Sequence, residues 1–197
     1  MIVTHLTPQE YATSRWSGGE TTQLAIWPRD AVYGERTFCW RLSSATVELD
    51  KSTFTALPDY DRLIATLEGT ITLRHDGGEP LTLAPYEVHA FDGGSETVSF
   101  GRCRDFNLML RKGAATGSLT PLKAGPEPVA CPLQEGDFAL LYCAEGRCTV
   151  SAGDDAWTLL PGESLLLEAP DARCLTLRGT ARLMLAQMTS AQHPEPL

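Results

Sequence analysis

Hydrophobic and polar residues alternate along many short segments of this chain, a pattern typical of β-strands with one buried face. Gly, Pro, Asp and Asn separate the segments at short intervals, as at Gly18-Gly19 and Gly77-Gly78. The predicted strands are Ile2–Leu6, Thr21–Trp27, Phe38–Val47, Arg62–Leu67, Thr70–His75, Val98–Phe100 and Phe106–Arg111. Many short strands with frequent turns predict an all-β sandwich or barrel.

One short helix is predicted near the N-terminus. Thr7, Pro8 and Glu10 stand in the order of an N-cap, a first-turn proline and a capping-box glutamate. Because this order is a start signal for helices, we predict a short N-terminal helix over about Pro8 to Ala12.

An internal repeat organises the rest of the chain. The pair Glu68-Gly69 recurs as Glu145-Gly146, each time at the end of an apolar segment. The triplet Pro85-Tyr86-Glu87 recurs as Pro161-Gly162-Glu163, so the spacing stays at 76 to 77 residues. Several matches in the same register predict a duplicated unit.

The duplication predicts the domain organisation. Between the two copies lies Lys112–Pro128, whose three Gly and three Pro are typical of a linker. We therefore predict four segments: an N-terminal half with the ligand pocket over 1–111, a linker over 112–128, a degenerate second half over 129–190 and a tail over 191–197.

The repeat unit is similar to a cupin, since a strand pair ending in Glu-Gly is followed by a hairpin and a Pro-x-Glu turn. We therefore predict two fused cupin-like (double-stranded β-helix) barrels. Metal-binding cupins carry a His-x-His motif, but the corresponding stretch here, Leu57–Arg62, offers carboxylates and an arginine, and only His89 lies near the second histidine position. An arginine opposes a cation, so we expect no metal and no other cofactor.

Five motifs between residues 15 and 111 resemble, in order, motifs of the HutD/Ves family. They are Trp16-Ser-Gly-Gly-Glu-Thr21, Phe38-Cys-Trp-Arg-Leu-Ser43, Phe54–Arg62, Leu67-Glu-Gly69 and Arg104-Asp-Phe-Asn-Leu-Met109. Ser17, Glu20 and Asp59 depart from the residues usual at those positions in the family. The resemblance implies a metal-free protein of two cupin units that binds a small acidic metabolite, such as formylglutamate or urocanate. It further implies that the protein tunes histidine utilisation without catalysis.

The polar residues within the predicted strands suggest a site for such an acid. Strand alternation places Arg41 and Ser43 on one face, and Asn107 on a face with Asp105. If Arg41 and Arg62 converge, they can clamp a carboxylate with paired hydrogen bonds. Ser43 and Asn107 would add neutral hydrogen bonds, and a carboxylate of Asp61 or Asp105 would orient an arginine.

Further ligand-binding candidates come from the opening motif, with one histidine added. They are Trp16, Gly18, Gly19, Glu20, Thr21 and His89. Each candidate also has a structural interpretation: Gly18-Gly19 as a turn, Glu20 as a solvated charge, and His89 as a hydrogen-bonded wall residue. No residue is predicted to be catalytic.

Charge and cysteine content restrict the partners and the location. The formal net charge is -9, which argues against nucleic acid and anionic membranes as partners. No targeting segment is visible at the start, and no apolar run approaches the length of a spanning helix. Six cysteines without a CxxC pair indicate free thiols in the reducing cytoplasm, with a bridge between Cys143 and Cys148 left open.

Two other classes of function stay open. His89, Tyr60 and Asp61 could supply acid–base groups for a cupin-type isomerase or lyase acting on a small polar substrate. A structural or protein-interaction module is the second alternative. A homodimer formed through exposed strand edges is also open.

Overall fold

A computed structural model describes residues 1–170 and 174–190, so the predicted tail over 191–197 lies outside the described residues. The prediction of an all-β protein is confirmed, and the helical segments are two 3-10 turns, Pro8–Glu10 and Tyr33–Glu35. The strands are β1 Ile2–Leu6, β2 Ala12–Trp16, β3 Gly19–Trp27, β4 Trp40–Val47, β5 Lys51–Thr53, β6 Tyr60–Glu68, β7 Ile71–His75, β8 Leu81–Leu83, β9 Val88–Asp92, β10 Thr97–Phe100, β11 Cys103–Arg111, β12 Ala115–Ala124, β13 Val129–Pro132, β14 Phe138–Ala152, β15 Asp155–Leu159, β16 Ser164–Glu168 and β17 Cys174–Ser190. In the part of the chain so described, no helix is long and apolar enough to cross a membrane.

The predicted N-terminal helix over Pro8 to Ala12 is wrong. Only one 3-10 turn forms there. The capping contact itself exists, since the backbone N–H of Thr7 donates to Glu10 Oε2 at 2.7 Å. The chain then enters β2 at Ala12, which pairs with Gln23 of β3. Pairing within the sheet therefore overrides the local start signal after one turn.

The chain divides into two compact units, one of Met1–Glu10 with Gly117–Ser190 and one that includes Tyr11–Thr116. The first unit contains a seven-stranded sheet of order β1-β16-β14-β17-β12, with β13 on β17 and β15 on β14. Its core is a cluster of buried apolar side chains that includes Leu141, Leu165 and Leu183.

Two segments of this unit differ from the organisation expected from the sequence. Strand β1 pairs with β16, where Ile2 lies opposite Glu168, although residues 1–10 were expected to belong to the N-terminal half. The expected linker over 112–128 contains β12, whose Leu119 is buried. Proline is tolerated in β12, at Pro121, because β12 is the last strand of its sheet and needs no partner on one side.

The Tyr11–Thr116 unit consists of two antiparallel sheets. The larger has the order β2-β3-β4-β11-β6-β9 and the smaller the order β5-β10-β7-β8. Neither sheet closes on itself among the described residues. One apolar cluster includes Ile64, Ile71 and Leu73, and another includes Phe38 and Tyr60.

The repeated Glu-Gly motif has the same backbone conformation in both units. Gly69 has a φ of 79° and Gly146 a φ of 78°, in the left-handed region that favours glycine. At both positions an added Cβ would strike a neighbouring carbonyl oxygen, at 2.4 Å for Arg102 and at 1.9 Å for Thr180. The glycine of the motif is therefore required by the backbone conformation and by the close neighbouring strand.

The repeated Pro-x-Glu motif also forms the same turn in each unit. Glu87 Oε2 accepts a hydrogen bond from the Ala84 N–H at 2.9 Å, and Glu163 Oε2 accepts one from the Leu160 N–H at 3.0 Å. Each glutamate thus closes the turn that precedes β9 or β16. The sequence repeat corresponds to a structural repeat at this turn.

All six cysteines are free thiols, so the bridge left open between Cys143 and Cys148 is absent. Both side chains are buried, and burial raises the pKa of the Cys143 thiol to about 12. A thiol with so high a pKa stays protonated and unreactive near neutral pH.

Two glycine substitutions test whether the Glu-Gly turn stabilises the Tyr11–Thr116 unit. Gly69 and Gly77 share a positive φ, but an added Cβ meets nothing within 4 Å at Gly77. We expect Gly77→Ala to lower the free energy of unfolding by about 1–2 kcal/mol, the cost of the left-handed conformation. Gly69→Ala should cost about 1–3 kcal/mol more because the neighbouring strand must move. Urea unfolding measures both, and equal losses would show that the close approach to Arg102 is unimportant.

Candidate functional site

Three central strands, β4, β11 and β6, align their inward side chains in rows. Met109 of β11 lies opposite Arg41 of β4 on one side and opposite Arg62 of β6 on the other. Asn107 lies opposite Ser43 in the next row along the same strands. Because side chains alternate between the faces of a strand, the register brings these polar groups to one face.

These rows face a cavity of about 360 Å³, at the small end of the roughly 300–1,000 Å³ typical of ligand pockets. Every residue lining it belongs to the Tyr11–Thr116 unit. The lining residues are Ser14, Trp16, Thr21, Tyr33, Arg41, Ser43, Ala45, Val47, Ser52, Thr53, Phe54, Thr55, Arg62, Asp105, Asn107 and Met109.

Arg41 is held in place by neighbouring side chains. Its Nε donates to Gln23 Oε1 at 2.8 Å and its Nη1 donates to Ser43 Oγ at 3.2 Å. The guanidinium carbon lies 4.2 Å from the centre of the Tyr33 ring, within range of a cation–π contact. Burial lowers the pKa of Arg41. Arg41 is therefore a fixed element of the cavity wall.

Arg62 is buried without such hydrogen bonds. The residue is 6% exposed, and its Nε has no hydrogen-bond partner. Its guanidinium carbon lies 4.9 Å from the centre of the Phe54 ring and 5.2 Å from that of Phe91. Burial lowers the pKa of Arg62 to about 10, so the side chain stays charged at neutral pH. Since buried charges are normally paired, this unpaired guanidinium stands out within the described part of the chain.

Asp105 is the carboxylate that faces the two arginines. Its Oδ1 accepts a hydrogen bond from the Ala45 N–H at 3.1 Å, and no described arginine or lysine nitrogen lies within 4.0 Å of its carboxylate. Burial raises the pKa of Asp105 to about 7, although the Ala45 N–H and the charges of Arg62 and Arg41 oppose the rise. Asp105 can therefore change its charge near neutral pH.

Two more buried polar atoms at the cavity have no partner. They are Asn107 Oδ1 and Ser52 Oγ. With Arg62 Nε, three atoms of the cavity wall lack hydrogen bonds within the described structure. Buried polar atoms are seldom left unsatisfied, so such a group around one cavity makes this cavity the candidate functional site.

Six of the predicted ligand-binding residues line the cavity: Trp16, Thr21, Arg41, Ser43, Arg62 and Asn107. Asp61 does not, since it follows Tyr60 on β6 and is exposed on the face opposite Arg62. Glu20 is not part of the wall either, because it accepts a hydrogen bond from exposed Arg15 Nε at 3.2 Å. The prediction for Asp61 and Glu20 therefore needs correction: neither side chain faces the cavity.

Gly18 and Gly19 are buried but outside the lining. A Cβ on Gly18 would lie 2.0 Å from a carbon of the Trp16 ring, and a Cβ on Gly19 would lie 1.8 Å from the Thr46 carbonyl oxygen. Both glycines allow close packing of neighbouring groups. The prediction that Gly18 and Gly19 contact the ligand directly therefore needs correction. Trp16, which lies beside them, does line the cavity.

His89 pairs with another histidine and does not line the cavity. Its Nε2 lies 2.9 Å from Nε2 of His75, whose Nδ1 lies 2.8 Å from Thr97 Oγ1. The His89 ring is nearly parallel to the Phe91 ring, with an interplanar angle of 8°. Burial lowers the pKa of both histidines and so favours their neutral forms. The prediction that His89 contacts the ligand therefore also needs correction.

The acid–base set considered for an isomerase or lyase is not assembled. The Tyr60 hydroxyl is buried against the protein, 2.9 Å from the Phe38 carbonyl oxygen, and accepts a hydrogen bond from Arg111 Nη2 at 2.8 Å. Asp61 is exposed and His89 is bonded to His75. Tyr60 and His89 have these other partners, and Asp61 lies on the exposed face, so the three side chains do not share a cavity.

Residues at the site that were not predicted include Tyr33 and Phe54, which line the cavity, and Gln23, which holds Arg41 from outside the lining. Gln23 lies on β3 two residues after Thr21, so strand alternation could have placed it beside the site. Tyr33 lies in a 3-10 turn between β3 and β4, and Phe54 follows β5. No local pattern indicates that loop residues such as these approach the cavity.

The side chains of the cavity do not suit a metal ion. Among the described residues there is no group of three His, Cys, Asp or Glu side chains that could hold one. The row of Arg41 and Arg62 places two positive charges on the wall instead, and these repel a cation.

Solved structures resemble this chain over nearly its whole length. A conserved protein of unknown function from Pseudomonas aeruginosa PAO1 is 25% identical, with a TM-score of 0.85 over 96% of this chain and 100% of that one. HutD from Pseudomonas fluorescens SBW25, in a structure described by its formate condition, is 23% identical, with a TM-score of 0.79 over 97% of this chain and 100% of that one.

More distant likeness shows the fold alone. The bacterial pirin YhhW from Escherichia coli, in complex with nickel(II), is 8% identical, with a TM-score of 0.67 over 94% of this chain and 98% of that one. The fold is therefore cupin-like.

A comparison with curated proteins finds no significant match. The family model of HutD, in contrast, matches residues 8–185, which is most of the 197 residues. The chain therefore belongs to the HutD family.

Proposed function

We propose that this chain is a HutD-like protein that binds a small acidic metabolite in the cavity beside Arg62 and catalyses no reaction. The observation that carries the proposal is the buried, unpaired guanidinium of Arg62. An arginine can bind a carboxylate through two parallel hydrogen bonds, which gives both affinity and orientation. A carboxylate bound there would supply the ion-pair partner that Arg62 lacks.

Neighbouring groups of the wall suit the rest of such a ligand. Arg41 adds a second positive charge, and Asn107 and Ser52 have atoms without hydrogen-bond partners. Tyr33 and Phe54 provide aromatic surface for a planar or apolar portion. This mixture of a few placed polar groups and aromatic walls is usual for small-molecule sites.

We further propose that the acid belongs to histidine utilisation, with formylglutamate and urocanate as the candidates to test, and that binding tunes that pathway. Membership of the HutD family supports this choice. Both compounds carry the carboxylate that Arg62 would bind, and the planar ring of urocanate would suit the aromatic walls.

The absence of catalysis is part of the proposal. His89, Tyr60 and Asp61, the set considered for an isomerase or lyase, do not meet in the cavity. The two arginines of the wall also disfavour a metal ion that could activate a substrate.

We also propose that both units are cupin-like barrels that arose by duplication. The equivalent turns at Glu87 and Glu163 and the equivalent glycines Gly69 and Gly146 support this interpretation. The first unit's core has apolar, buried Ala139 where the Tyr11–Thr116 unit has Arg62 in the repeat. A single acid site, beside Arg62, is therefore expected.

Arg62→Gln tests the proposal directly. We expect formylglutamate or urocanate to bind the unaltered protein, and its affinity to fall at least about 30-fold in the variant, because a buried charged contact is worth about 2–5 kcal/mol. Without ligand the variant should be as stable as the unaltered protein or more so, since it removes an unpaired buried charge. Isothermal titration calorimetry measures affinity and urea unfolding measures stability.

Arg74→Gln is the matched control. Arg74 is exposed on β7, outside the cavity, and its replacement removes the same charge from the protein. It should leave affinity unchanged. Equal weakening by both variants would indicate a general charge effect and would contradict a site at Arg62. Conversion of either acid, followed by NMR of the ligand, would support the enzyme alternative.

A chelator tests metal independence. We expect excess EDTA to change neither the unfolding temperature nor the affinity for the acid, because two arginines occupy the cavity wall that a cation would face. Metal analysis of the untreated protein accompanies the measurement. A stoichiometric metal whose removal lowers the unfolding temperature would overturn the metal-free proposal.

A further inference from the structure

Asp105 shares the cavity with two arginines, yet its carboxylate contacts neither of them. One oxygen accepts from the Ala45 N–H at 3.1 Å, and no hydrogen bond joins the other oxygen to any described residue. Meanwhile Arg41 is bonded to Gln23 and Ser43. The arginine charges are therefore held beside the carboxylate without neutralising it through an ion pair.

We propose that Asp105 takes up a proton when an acid with two carboxylates enters the cavity, so that the site binds the acid and one proton together. The inference rests on the proposed function, since it requires an acid to bind beside Arg62. Asp105 is then the residue that sets the charge of the cavity and the pH range in which the acid is held.

The charge balance of the cavity gives the reason. With Asp105 ionised, Arg41, Arg62 and Asp105 sum to one positive charge, which a single ligand carboxylate cancels. A second carboxylate, or the first one placed close to Asp105, brings two like charges together in a buried site. One of two such carboxylates then holds a proton, as like charges at short range disfavour ionisation of both.

The other titratable groups near Asp105 do not compete for this proton. Arg62 on β6 and Arg41 on β4 stay charged, and both favour the ionised form of Asp105. Cys103 lies two residues before Asp105 on β11, and burial raises the pKa of its thiol to about 12, so it stays uncharged. Tyr33 and Arg36 influence the pKa values of Arg41 and Arg62.

The direction of the pH effect follows from these charges. Burial already raises the pKa of Asp105 to about 7 without ligand, and a bound carboxylate raises the pKa further. Above pH 7 the free protein has lost the proton that the complex keeps, so binding must recover it from solution. Affinity should therefore fall as pH rises above 7, by up to about tenfold per pH unit.

Calorimetric titration with N-formyl-L-glutamate from pH 7 to pH 9 tests the proposal. The carboxyl groups of this probe are ionised throughout the range, so its own charge is constant. Titrations at pH 8 in phosphate and in Tris, whose ionisation heats differ, give the number of protons taken up. We expect uptake of up to one proton at pH 8 and weaker binding at pH 9 than at pH 7.

Asp105→Asn should mimic the protonated carboxyl, because the amide oxygen can still accept from the Ala45 N–H. We expect this variant to bind the probe with no proton uptake, without the loss of affinity between pH 7 and pH 9, and more tightly than the unaltered protein at pH 9. Asp30→Asn removes the same charge from an exposed position and should keep the proton uptake and pH dependence of the unaltered protein.

The two proposals fail differently. Binding of the probe by the unaltered protein with no proton uptake at pH 8 would overturn the role of Asp105 and leave the acid site intact. The same conclusion would follow if Asp105→Asn kept the full pH dependence. If neither formylglutamate nor urocanate binds the unaltered protein at any pH, the proposed function fails and this inference fails with it.

Discussion

The register of β4, β11 and β6 is the constraint on which the site depends. Met109 lies opposite both Arg41 and Arg62, so the two arginine backbones are two strand spacings apart, about 10 Å. The opposite face of the same strands carries fully buried apolar side chains, including Leu42 and Phe106. A slip by one residue would bury the arginines in that apolar layer, and packing therefore fixes the register.

Charge within the cavity is the consequence of that register. The structure keeps two guanidinium groups and one carboxyl group in a buried space, and fixes each through separate contacts. Arg41 is bonded to neighbours, Arg62 stacks on aromatic rings, and Asp105 accepts from a backbone N–H. The proposed acid would supply the partner that Arg62 lacks, and charges fixed in advance would bind it with little rearrangement.

Strand alternation, read from the sequence, was enough to group the polar residues that meet in the cavity, Arg41 with Ser43 and Arg62 on its own strand. The same alternation argues against Asp61, which neighbours Arg62 and so points to the other face. Alternation does not predict which distant segments of the chain lie next to each other. The bond between His89 and His75 and the approach of Tyr33 from a turn depend on the folded arrangement of separate segments. The helix start signal at Thr7 failed for the same reason, because sheet pairing decides the conformation after Glu10.

A crystal structure of the protein with formylglutamate or urocanate tests the acid site most directly. We expect a ligand carboxylate within hydrogen-bond distance of the Arg62 guanidinium, inside the cavity of the Tyr11–Thr116 unit. A ligand bound elsewhere with Arg62 unoccupied, or an Arg62 side chain paired with Asp105 in a filled cavity, would contradict it.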